Sequence, residues 1–222
     1  DWDENPPHRS IFPISWLMSH ADDGEQHLKP FKEKILWDQA WVNANSPKWI
    51  NAQSRDSQTW RNQLLTLGFT IVKNLSYEDL DNFVSNIGPV HYLAKYGRYS
   101  TVKAIPNAQD LSLSADGNEL SPHTDITFMS TPPLVQLLYC VENLATGGES
   151  VLVDGFKVAR DFQQDHPEYF EILTKVPVKF EQFYQEWEYY VSHKTPIIEL
   201  DRDGLVASIY FSHKNFSSEL PF

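Results

Sequence analysis

His123-Thr124-Asp125 is the sharpest chemical feature of this chain. In an extended segment, residues i and i+2 point to the same side. An imidazole and a carboxylate therefore converge on one point. Two such ligands and a distant histidine form the facial triad of non-haem Fe(II) oxygenases, which leaves positions open for a co-substrate and oxygen. His-x-Asp is also a short pattern, and its plainer meaning is a loop histidine hydrogen-bonded to its neighbour. Further on, Ser150 follows Gly147-Gly148-Glu149. Taken alone, it is a turn residue after two glycines. The single cysteine, Cys140, excludes a disulfide framework and a self-contained Cys-rich zinc site.

The elements that must position these residues come from a chain of 222 residues, long enough to bury a core in one or two domains. Hydrophobic residues at 41% and aromatic residues at 14% exclude a disordered chain. With 30 acidic and 18 basic side chains the net charge is −12. Such a surface repels phosphate backbones and anionic lipid, so neither nucleic acid nor a membrane is an expected partner. No apolar run reaches the ~18–20 residues of a membrane span. No signal peptide opens the chain, and the expected compartment is the cytoplasm.

Residues 60–67 have helical spacing and stop at Gly68, a favoured residue just past a helix end. Residues 69–75 alternate apolar and polar, which predicts a strand. Ser76 then reads as the N-cap of a helix over 77–87, with Tyr77, Leu80, Phe83, Val84 and Ile87 on one face. From about residue 90, short β-rich runs dominate: 134–140, 151–153, 175–180, 195–200 and 205–211. One helix interrupts them over 156–173. Asp201-Arg202-Asp203-Gly204 is a strong hairpin turn. The pattern predicts an α+β, mainly β fold: a β-sandwich or jelly roll with helices packed outside.

Three blocks carry a family resemblance. They are His123-Thr124-Asp125, then Pro132-Pro133-Leu134-Val135-Gln136-Leu137-Leu138-Tyr139-Cys140, then Gly147-Gly148-Glu149-Ser150 running to Val153-Asp154-Gly155-Phe156. In this order they resemble the γ-butyrobetaine and trimethyllysine hydroxylases, with relatives that hydroxylate 2-(trimethylamino)ethylphosphonate. Those enzymes belong to the taurine dioxygenase superfamily of Fe(II)/2-oxoglutarate oxygenases. Gly68-Phe69-Thr70-Ile71-Val72 and the late Ile197-Ile198-Glu199-Leu200-Asp201 extend the likeness to most of the chain.

The resemblance implies a double-stranded β-helix, or jelly roll, with flanking helices. Residues 1–45 would be a linker at the end of a small N-terminal domain, and 46–222 the first part of the oxygenase domain. His123 and Asp125 would ligate Fe(II), and the Ser150 hydroxyl would meet a carboxylate of 2-oxoglutarate, the co-substrate used with O2. The distal histidine and the 2-oxoglutarate-binding arginine are expected beyond Phe222. His8 sits where a zinc ligand of an N-terminal module would be, although no cysteine upstream in this chain could join it. The chain is therefore expected to be incomplete at both ends. A homodimer is the oligomer the family favours.

The same resemblance implies a small-molecule substrate. Tyr96 aligns with a tyrosine of the aromatic cage that holds trimethylammonium groups by cation–π attraction. Other cage positions fall on Ser100 and near Ser114, with Tyr99 or Phe128 as substitutes. Ser212 and His213, followed by Lys214-Asn215, occupy the site that binds the substrate's anionic end. This set offers more donors and more charge than two amides, which suits a phosphonate. The plainer alternative makes Ser212 and His213 ordinary loop residues.

Other arrangements stay open. His193, read as a loop residue, and Arg202, read as a solvated turn residue, could complete a compact site within the chain. A jelly-roll binding protein that lost its metal is a second functional class. A zinc-dependent, cupin-like hydrolase is a third.

Overall fold

The computed structural model describes residues 11–15, 17, 33–54, 57–92, 97–102, 120–143, 146, 149–185 and 188–217. Helix α1 spans Gln39–Asn45. Asp38 caps it by accepting the Trp41 amide at 2.8 Å, and Ser46 ends it at φ 44°. Strand β1 (Ile50–Asn51) pairs in parallel with β2 (Val72–Lys73), and helix α2 (Ser57–Leu67) crosses between them. Gly68 closes α2 at φ 78°, a left-handed conformation that glycine adopts without steric cost. The strand expected over 69–75 is thus only two residues long, because β1 offers a ladder of that length and Asn74 turns away at φ 58°.

Helix α3 spans Leu80–Ser85, shorter than the expected 77–87. Its N-cap is Asp79 and not the expected Ser76, which instead closes the turn before the helix. The Ser76 hydroxyl accepts the Asp79 amide at 3.2 Å and donates to the Asp79 carboxylate at 2.8 Å. Residues 77–79 form a turn rather than the first helical turn, and Tyr77 is exposed. Leu80 and Val84 are buried, and Phe83 tilts against the buried Trp60 at 5.4 Å.

The single helix expected over 156–173 is two helices, α4 (Gly155–Asp165) and α5 (Pro167–Lys175). His166 breaks them at φ −140° and ψ 62°. The reason is Pro167, whose ring disfavours helical backbone in the preceding residue and suits the first turn of a new helix. Asp154 caps α4 by accepting the Phe156 and Lys157 amides at 3.0 and 3.1 Å. Its other oxygen accepts the Trp37 amide at 2.8 Å, while Trp37 Nε1 donates to the Leu67 carbonyl at 2.8 Å. One tryptophan therefore ties the segment before α1 to the end of α2 and the start of α4.

Strands β3 (Val178–Tyr184) and β4 (Tyr189–Thr195) form an antiparallel hairpin. Strands β5 (Ile198–Leu200) and β6 (Val206–Ile209) form a second. The turn between β5 and β6 is the expected Asp201–Gly204 type. Asp201 Oδ1 accepts the amides of Asp203 and Leu205, each at 2.9 Å, and Gly204 sits at φ 77°. Helices α4 and α5 pack on the second hairpin through Ala159, Phe170 and Ile198, with Phe162, Leu173, Val206 and Ile209 around them. A Cβ on Gly155 would lie 3.0 Å from Ile209 Cδ1, so glycine lets α4 begin directly against β6.

A second core joins Phe128, Phe180 and Tyr210, with Ile126, Met129, Val191 and Phe216 packed against it. Phe180 is fully buried and stacks on Phe216 at 4.9 Å. The described residues thus combine helices with three two-stranded sheets, and no closed barrel forms among them. Two expected strands are absent. Residues 134–140 and 151–153 carry no assigned strand and no ladder partner among the described residues, and Leu134 is 98% exposed. Apolar pattern alone does not make a strand; the backbone needs a neighbour to hydrogen-bond. No helix among the described residues is long and apolar enough to cross a membrane.

Candidate functional site

The His-Thr-Asp segment is held from its middle. The Thr124 amide donates to the Phe211 carbonyl at 2.7 Å, and the Phe211 amide donates to the Thr124 hydroxyl at 2.9 Å. The residues just after it enter the core, with Thr127 and Phe128 buried. Ile126 makes that turn at φ 59°, an unusual value for a β-branched side chain. His123 and Asp125 are left at the surface with side chains 29% and 46% exposed.

The two side chains meet directly as a His–Asp pair, the plainer meaning of the pattern, and the same spacing is compatible with two neighbouring metal ligands. His123 Nδ1–H donates to the Ser121 carbonyl at 2.8 Å, which turns Nε2 toward Asp125. Nε2 and Asp125 Oδ1 stand 3.0 Å apart. Adjacent ligands of an octahedral centre with bonds of about 2.1 Å lie about 3 Å from each other. One nitrogen and one carboxylate oxygen are two of the three donors of the iron facial triad, whose third is a second histidine. The other carboxylate oxygen, Asp125 Oδ2, accepts a hydrogen bond from Gln136 Nε2 at 2.5 Å. Sequence reasoning missed Gln136. Its signal was a lone amide inside an otherwise apolar run.

Ser212 and His213 lie directly beyond the Phe211 anchor, so the structure brings them beside the His-Thr-Asp segment. Ser212 is buried and donates to Asn215 Oδ1 at 2.9 Å. Asn215 in turn donates to Gln182 Oε1 at 3.0 Å, and its carbonyl accepts the Glu181 amide at 2.8 Å. This chain of bonds pins residues 212–217 along β3. His213 is exposed, with its ring against Phe211 at 4.8 Å. Ser150 is exposed in the stretch before α4.

His193 is not a loop residue. It lies in β4, opposite Phe180, with its ring edge-on to Tyr210 at 5.5 Å. Its Nδ1 is buried without a hydrogen-bond partner among the described residues. The compact site of His193 with His123 and Asp125 does not form, since no group of three metal-ligating side chains assembles among the described residues. Arg202 is exposed in the β5–β6 turn. Tyr96, Ser114 and His8, the last with its zinc module, lie outside the described residues. Burial pushes the Tyr210 hydroxyl above its ordinary pKa of 10.0, and the nearby Glu199 carboxylate adds to the shift.

Comparison with known proteins covers nearly the whole chain. Residues 27–222 match the family described as Taurine catabolism dioxygenase TauD, TfdA family. The gamma-butyrobetaine dioxygenase of Homo sapiens is 34% identical over 216 residues, covering 93% of this chain and 55% of that protein. A gamma-butyrobetaine dioxygenase of Pseudomonas sp. (strain AK-1) is 27% identical, covering 94% of this chain and 54% of its own length. The mitochondrial trimethyllysine dioxygenase of Bos taurus is 28% identical, covering 78% of this chain and 42% of its own. The chain spans about half the length of these relatives. On the strength of the match over residues 27–222, this chain belongs to the taurine catabolism dioxygenase (TauD, TfdA) family.

Proposed function

We propose that the protein is an Fe(II)/2-oxoglutarate-dependent dioxygenase that hydroxylates a C–H bond of a small trimethylammonium compound. The substrate would resemble γ-butyrobetaine or 2-(trimethylamino)ethylphosphonate. The observation that carries this reading is the 3.0 Å approach of His123 Nε2 to Asp125 Oδ1. Family membership and relatives named gamma-butyrobetaine and trimethyllysine dioxygenases support it. In this proposal β3 to β6 belong to a double-stranded β-helix.

His123 and Asp125 would hold the metal. When bound, Fe(II) with 2-oxoglutarate and O2 supplies the oxidation: 2-oxoglutarate loses CO2 to give succinate, and C–H becomes C–OH. The chain's own work is orientation. Ser121 fixes the His123 tautomer through Nδ1–H, so that Nε2 keeps its lone pair for the metal. The Ser150 hydroxyl would donate to a 2-oxoglutarate carboxylate, which needs one well-directed donor. Tyr96 would face the trimethylammonium group, where a ring attracts a cation without a hydrogen bond. His213 would donate to the anionic end of the substrate. Ser212, held by Asn215, would fix the backbone that presents it.

Oxygen-dependent succinate formation by the intact protein, with Fe(II) and 2-oxoglutarate, tests the proposal. The panel is γ-butyrobetaine, trimethyllysine, 2-(trimethylamino)ethylphosphonate and 2-aminoethylphosphonate. Stimulation by a trimethylammonium compound, with a hydroxylated product, supports it. Stimulation by 2-aminoethylphosphonate alone removes the trimethylammonium assignment. Absence of 2-oxoglutarate turnover with iron bound overturns the oxygenase reading.

A further inference from the structure

We propose that Gln136 is a positioning residue that limits Asp125 to one metal-facing oxygen. The inference rests on His123 and Asp125 being the metal ligands, as proposed above.

A carboxylate can bind a metal through one oxygen or through both. Asp125 Oδ1 faces His123 Nε2 at 3.0 Å. Its Oδ2 accepts the Gln136 amide at 2.5 Å. The amide is neutral, so it spends none of the carboxylate's charge. It is also a weak metal ligand, so it does not compete for the ion. What it does is engage Oδ2 and set the plane of the carboxylate. Coordination through both oxygens would take a position that a co-substrate needs.

Gln136 is exposed, and its segment is anchored a short distance further on. It lies between Val135 and Leu137 in an apolar run that is itself exposed, and the structure shows its amide on Asp125. Three residues on, the Tyr139 hydroxyl donates to the Leu75 carbonyl at 3.1 Å, and its ring lies 6.0 Å from that of Tyr77. Tyr139 is thereby tied to the turn before α3. Hydrogen-bond partners behind a metal ligand commonly change metal affinity by about 10–100-fold when removed.

Co(II) serves as the probe, because its visible spectrum reports coordination as well as occupancy. Gln136→Met keeps the length of the side chain and removes the N–H. Leu134→Met, on the same exposed segment, is the control. The expected result is Co(II) binding weakened by about 10-fold or more in Gln136→Met, with a changed visible spectrum and an unchanged melting temperature. Leu134→Met should match the wild type in all three. Equal affinity and an identical spectrum in Gln136→Met overturn the inference. So does weaker binding that merely tracks a lowered melting temperature with no spectral change. All measurements are made on the intact protein; if it binds no Co(II) while remaining folded, the metal assignment of His123 and Asp125 falls, and this inference falls with it.

Discussion

Thr124 and Phe211, 87 residues apart, exchange hydrogen bonds in both directions. The middle residue of the His-x-Asp pattern thus faces the protein while its two neighbours face solvent. Replacing Thr124 with Val keeps the shape and removes the hydroxyl that the Phe211 amide needs. An unpaired buried donor costs about 1–3 kcal/mol, and this half-buried amide should sit at the lower end. Thr124→Val should lower the urea midpoint accordingly, and Thr124→Ser should restore most of it. A Val variant as stable as the wild type would show that the clasp does not hold the segment.

His123→Ala and Asp125→Ala should each reduce iron-dependent 2-oxoglutarate turnover by more than the roughly 10–100-fold typical of removing a ligand's outer partner. Succinate release under saturating Fe(II) measures this. Neither side chain is buried, so folding should survive, and circular dichroism of the variants checks that point. Activity retained in either variant removes that residue from the metal site.

Phe180 joins β3 to the segment after Asp125 and to Phe216. Truncating a fully buried phenylalanine to alanine typically costs about 3–5 kcal/mol. Phe180→Ala should lose a large part of the chain's stability in denaturant titration. The neighbouring, exposed Phe183→Ala should lose much less, since its ring is 56% exposed.

Tyr210 makes stability sensitive to alkali. Its pKa in the folded chain is raised above 10.0, first by burial and then by Glu199. The folded state therefore holds the phenolic proton after the unfolded chain has released it. Its contribution is fully present below about pH 10 and fades as pH rises through the folded value. Urea midpoints measured from pH 8 to pH 11 should fall in the upper part of that range. Tyr210→Phe should flatten the fall. An unaltered slope in Tyr210→Phe would assign the alkaline loss to other groups.

Much of the local structure was legible because it depends on neighbours in sequence. Gly68 ends α2, Ser76 accepts the Asp79 amide, and Asp201–Gly204 turns β5 into β6. Each is a contact within a few residues, made by a side chain whose type suits that role. The break at Pro167 was equally local and was overlooked, because the apolar spacing runs on across it.

The His-x-Asp pattern was visible for the same reason: two side chains two positions apart share a side of an extended segment. Its surroundings were not. Gln136 reaches Asp125 from 11 residues away, and Phe211 grips Thr124 from 87. Nothing in residue type announces such pairs, since the chain must first fold to bring them within hydrogen-bonding range. His193 shows the converse. The sequence offers it as a spare histidine in a loop, yet pairing of β3 with β4 sets it opposite Phe180 and against Tyr210. Residue identity and spacing supply the chemistry that is available; backbone pairing and core packing decide which of those groups meet.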